Sequence, residues 1–139
     1  MNLPVPPDFH ALVVRTDFSD DAAWVRVCAA VESADCEGYT PTLVRIDDRA
    51  HEGMSSDELR AHVGPDTYYL FVVDARTVAD PEQSLLVVDV EPESEQPGRV
   101  FRVVPREVCA IDANLGISNM DFDEFADSVD ADGVFRGFR

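Results

Sequence analysis

Residues 11–24, Ala11 to Trp24, run from an apolar stretch into a cluster of Asp17, Ser19, Asp20 and Asp21, then into apolar residues at helical spacing. That order predicts a strand, a short capped turn and a helix. It commits the chain to an α/β fold. In open α/β sheets, ligands bind outside the C-terminal ends of the strands, so the residues following each strand are the first candidates for chemistry.

The same reading extends along the chain. Strand one is expected at 11–16 and helix one at 20–33, with Ser19 or Asp17 as N-cap and Trp24, Val27, Cys28 and Val31 as its buried stripe. Strand two is expected at 42–47. Helix two should span 56–63, opened by a Ser55/Glu58 capping box and stopped by Gly64 and Pro65. Strand three, 68–74, is apolar nearly throughout and should be covered on both faces. A polar connection containing Pro81, with one helical turn, leads to strand four at 85–90. The acidic, breaker-rich loop 91–98 then joins it to strand five at 100–104 as an antiparallel hairpin. A sixth short strand is expected at 108–111. A last helix is expected at 121–129, started by Asp121 and Glu124 and burying Phe122, Phe125, Ala126 and Val129. Residues 134–138 form an apolar tail that should pack down, and residues 1–8 a Pro-rich extended arm.

The predicted architecture is a single α/β domain over 1–139. It has a mixed sheet of five or six strands with flanking helices, a parallel β-α-β-α-β start with right-handed crossovers, and the hairpin extending one edge.

Of the 139 residues, 28 are acidic and 11 basic, giving a formal net charge of −17. That balance argues against the phosphate backbone of nucleic acid as partner, which needs clustered Lys and Arg. It favours solubility and attraction to basic partners. Every basic residue is Arg. GC-rich coding bias explains the missing Lys, and adaptation to high internal salt would give a similar surface. No apolar run reaches the roughly 18 residues of a membrane span, and the N-terminus lacks the basic and apolar regions of a signal peptide. Three cysteines, Cys28, Cys36 and Cys109, follow no motif spacing. Cys28 reads as a small core residue, and the expected setting is cytoplasmic and reduced.

Asp17, Asp47, Asp48 and Asp74 end the first three strands. If those strands are parallel, the four carboxylates share one rim, where oxygen ligands could hold Mg²⁺ for phosphoryl chemistry. The competing and favoured reading is that they cap turns and helices. The second aspartate of an Asp-x-Asp phosphatase motif is missing, and no Lys is available to stabilise a phosphoryl group. His10, His51 and His62 form no metal-binding pair, and no Gly-x-Ser-x-Gly or phosphate loop is present. The segment 112–125 is dense in Asn and Asp. Asn119 and Asp121 there serve either as turn residues or as part of a recognition surface, and the order of an EF-hand loop is absent.

Residues 12–24, Leu85 to Asp89, Phe101 to Pro105 and Asn119 to Phe125 together resemble a set of small actinobacterial proteins classed as a domain of unknown function. The resemblance covers almost the whole chain. It implies a stand-alone intracellular domain and carries no assigned activity. The leading functional expectation is a non-enzymatic protein-binding module, such as an immunity-type inhibitor of a basic toxin. Its contacts would be the 91–95 loop, Asp47, Asp48 and the 119–124 segment. The alternative is a metal-dependent enzyme or small-ligand sensor at the carboxylate rim.

Overall fold

A computed structural model describes residues 3–6, 10–34, 36, 38–64, 67–116 and 120–138. Its elements are β1 (His10–Arg15), α1 (Asp21–Ser33), β2 (Thr42–Ile46), α2 (Ser56–Arg60), β3 (Tyr69–Val73), α3 (Ala75–Ala79), β4 (Leu85–Asp89), β5 (Val100–Val103), α4 (Val108–Gly116), α5 (Phe122–Ala126) and β6 (Val134–Phe135). Short 3-10 turns occupy Arg49–His51 and Pro105–Glu107.

The six strands form one mixed sheet in the order β2-β1-β3-β4-β5-β6. β1 runs parallel to both β2 and β3, as the two crossovers require. β3–β4 and β4–β5 are antiparallel, and β6 joins β5 in parallel. The strand period of two sends Val13, Phe71, Val87 and Phe101 to one face and Leu12, Leu70, Val72 and Val88 to the other. The first face packs against Trp24, Val27 and Val31 of α1, Val108 and Ile111 of α4, and Phe125 of α5. The second is covered by Leu59 of α2 and by Leu3. This double cover is why β1 and β3 are apolar almost throughout.

Four expectations need correction. Residues 108–111 are not a strand but the first turn of α4. The run Val108, Cys109, Ala110, Ile111 is too short for periodicity to separate strand from helix, and its buried positions Val108, Cys109, Ile111 and Asp112 share one helical face. The sixth strand is instead the tail pair Val134–Phe135. Helix one is capped by Asp20, whose Oδ1 accepts from the Ala23 N–H at 3.1 Å. Asp17 makes its own turn, accepting from the Ser19 N–H at 2.9 Å. Finally, the cysteines are not all reduced: Cys36 and Cys109 are joined in a disulfide, and Cys28 is free and buried. The odd count concealed a pair plus one core thiol.

Helices two and five are also shorter than expected, ending at Arg60 and Ala126. Leu3, in the described part of the N-terminal arm, is tied down. The Leu3 N–H donates to the His62 carbonyl at 2.7 Å, and the Leu3 side chain is buried.

Candidate functional site

The C-terminal ends of β1, β2 and β3 do form one rim, and two buried arginines organise it. Arg15, 3 % exposed, closes β1. Its guanidinium donates to Asp21 at 2.6 Å, to Asp47 at 3.2 Å and to the Asp17 carbonyl at 3.0 Å. It also lies 4.4 Å from the Phe18 ring centroid. Arg102 of β5 grips Asp74 through both carboxylate oxygens, at 3.0 and 2.5 Å, and donates to the Ser84 carbonyl at 3.1 Å. Such a bidentate fork is the strong form of the ion pair.

Asp74 is also the N-cap of α3, accepting from the Thr77 N–H at 3.1 Å. Burial works to raise its carboxyl, but the Arg102 hydrogen bonds and charge, with the bonds from Thr77, outweigh it and hold the group below the usual carboxylate range. Asp48 caps the 3-10 turn, accepting from the Ala50 N–H at 2.9 Å. The four rim carboxylates predicted from sequence thus share an edge but are occupied separately, by turns, caps and arginines. Among the described residues, no group of three or more His, Cys, Asp or Glu side chains is placed to hold a metal ion.

The opposite end of the sheet is different. There the start of β3 meets the end of β4, where Tyr69 pairs with Asp89. A cavity of about 250 Å³ opens there, lined by Tyr68, Leu115, Met120, Phe122 and the acidic Asp89, Glu91 and Asp121. An adjoining cavity of about 290 Å³ shares Asp89, Glu91, Asp121 and Phe122 and adds Glu93, Glu95 and Asp123. The two adjoin through these shared residues, and together they form an acidic groove whose apolar lining is Leu115, Met120, Phe122 and the ring of Tyr68.

Asp89, 2 % exposed, shapes the loop wall. It accepts from the Glu91 N–H at 3.1 Å and from the Ser94 hydroxyl at 2.5 Å. Gly98 closes the loop at φ +85, a conformation that favours glycine, and a Cβ there would lie 2.6 Å from the Arg60 guanidinium. Asp123 is neutralised by Arg99 at 2.8 Å, which also reaches Asp127 at 2.6 Å. Among the described residues, no arginine pairs with Glu91, Glu93, Glu95 or Asp121.

Behind the groove lies a buried polar knot. Asp112 of α4, 2 % exposed, accepts from the Tyr69 hydroxyl at 2.6 Å and from the Tyr39 hydroxyl. For both phenols, burial and the hydrogen-bonded Asp112 charge push the pKa far up, so they remain donors. Cys109, three residues before Asp112, carries the disulfide to Cys36, and Cys36 and Tyr39 exchange a pair of backbone hydrogen bonds at 2.9 Å.

Of the expected contact residues, the structure therefore brings the 91–95 loop and Asp121 together. Asp47 and Asp48 stand at the other end of the sheet. Asn119 lies outside the described residues. Tyr68, Asp89 and Leu115 were not anticipated. For Tyr68 and Asp89 the signal was an aromatic beginning an apolar run and a carboxylate inside one, and Leu115 carried none. Arg15 and Arg102 were also missed, although a charge inside an apolar strand is a cue that something pairs with it.

Fold and groove define a small α/β protein with a carboxylate-rimmed cleft at one end of a mixed sheet. The chain belongs to the family described as Domain of unknown function (DUF6924), whose model matches residues 10–138. Among curated proteins, none matches it in sequence. No helix among the described residues is long and apolar enough to cross a membrane.

Proposed function

We propose that this protein is a non-enzymatic binding module that receives a basic segment of a protein partner in the groove between the 91–95 loop and α5. The observation that carries this reading is the contrast in pairing. Eight arginines are spent on ion pairs within the described residues, while Glu91, Glu93, Glu95 and Asp121 have none and surround an apolar lining. Unpaired carboxylates steer a basic partner, and Tyr68, Leu115, Met120 and Phe122 supply apolar contact once it has arrived. Tyr68 is 51 % exposed, which suits an aromatic anchor. A cytoplasmic inhibitor of a basic toxin is one form of this function.

The test uses a labelled arginine-rich peptide and two variants of equal charge change. One is Glu91→Gln/Glu93→Gln/Glu95→Gln at the groove. The other is Glu32→Gln/Glu52→Gln/Asp57→Asn elsewhere. The groove variant should lose most of the affinity and most of its salt dependence, and the distant variant little. Equal losses would mean that the peptide sees only net charge, and the groove would be rejected as the site.

A further inference from the structure

We propose that the Cys36–Cys109 disulfide is a redox latch that holds the α4 wall of the groove in place. This inference does not depend on what the groove binds.

Three observations converge on α4. Its first turn is bonded covalently through Cys109 to the segment around Cys36. Its middle is held by Asp112, which accepts from Tyr39 on that same segment and from Tyr69 at the groove. Its last turn supplies Leu115 to the groove lining, and Gly116 lies so near Tyr69 that a Cβ would stand 3.3 Å from the phenol oxygen. Covalent bond, polar knot and groove wall therefore follow one another along a single nine-residue helix.

The two sulfurs differ in access. Cys36 is partly exposed and Cys109 fully buried, so an incoming thiolate meets Cys36. A dithiol reductant attacks the Cys36 sulfur, the bond to Cys109 breaks, and Cys109 leaves as a thiolate and takes up a proton. The second thiol of the reductant then displaces Cys36 from the mixed disulfide. The protein gains two electrons and two protons, and the reductant departs as its own disulfide. The reduced state also has a place in the fold. The Cys109 sulfur lies 3.0 Å from the Tyr39 carbonyl oxygen, to which a thiol can donate. Cys28 stays outside this exchange, because burial pushes its thiol up to about 11 and it sits on the buried face of α1.

Hydrogen exchange on the full-length protein tests this, before and after dithiothreitol, with denatured thiol counts alongside. The oxidised protein should show one thiol and the reduced protein three. In the oxidised state α4 should exchange together with β1 and β3. On reduction, amides of α4 should open ahead of those strands by about tenfold or more, and reoxidation should restore them. Cys36→Ser should show the reduced pattern without reductant. If α4 and the central strands still exchange together after reduction, the disulfide is only a global brace and the latch is overturned. Three thiols in air-oxidised protein would overturn it as well.

Discussion

The two ends of this sheet carry carboxylates in opposite conditions. At the C-terminal ends of β1–β3, Asp47 and Asp74 are met by the buried guanidinium groups of Arg15 and Arg102, while Asp17 and Asp48 close turns. At the other end, Glu91, Glu93, Glu95 and Asp121 surround a groove, and among the described residues none of them pairs with an arginine. A carboxylate that is paired and capped is part of the scaffold. A carboxylate left exposed beside apolar surface is available to a partner. In a chain of net charge −17, the count of acidic residues says little until one knows which of them the arginines have already claimed.

The largest test of that contrast is Arg102→Ala. It strands a half-buried Asp74 without its fork and should cost about 3 kcal/mol of unfolding free energy in a urea titration. A loss as small as that of an exposed ion pair would erase the distinction between the two ends. Next in size, Tyr69→Phe removes one donor from the buried Asp112 and should cost about 1–2 kcal/mol, with the rim unaffected.

Acid titration tells the paired carboxylates from the unpaired ones. The folded Asp74 carboxyl is held below its ordinary value of 3.8. Its contribution to stability is therefore complete above that value and is lost as pH falls through the lower folded value. Wild type should lose stability steeply below about pH 4. In Arg102→Ala that component should shrink, and unchanged acid sensitivity would show that other groups govern it. Smaller still, Glu91→Gln/Glu93→Gln/Glu95→Gln should leave the urea midpoint unchanged while weakening peptide binding. A midpoint that falls with it would make the groove part of the scaffold too. Last, Mg²⁺ should stabilise wild type and Asp17→Ala alike, through loose association with the acidic surface. Stabilisation that vanishes in Asp17→Ala would instead point to a metal site at the rim and reverse the assignment of the two ends.

Much of the fold was legible because its elements announce themselves locally. The apolar runs at 11–14 and 70–73, the Ser55/Glu58 capping box and the breaker-rich 91–98 loop each specify their own conformation. The stretch 108–111 was misread because four apolar residues suit a strand and a helix equally. Only packing of Val108 and Ile111 against the first sheet face decided for the helix. The groove was half legible. The acidic 91–95 loop and Asp121 stood out by composition, but nothing local places them side by side across the hairpin and α5.

The sequence by itself determined the α/β class, the parallel start of the sheet, the hairpin and the acidic character, because periodicity, caps and charge are properties of short segments. Tertiary structure alone decided which carboxylates the arginines claim, and which two of three cysteines are joined. Arg102 lies 28 residues from Asp74, and Cys36 lies 73 residues from Cys109. Partners so far apart meet only when β5 and α4 take their places against the sheet, and no local pattern records that meeting.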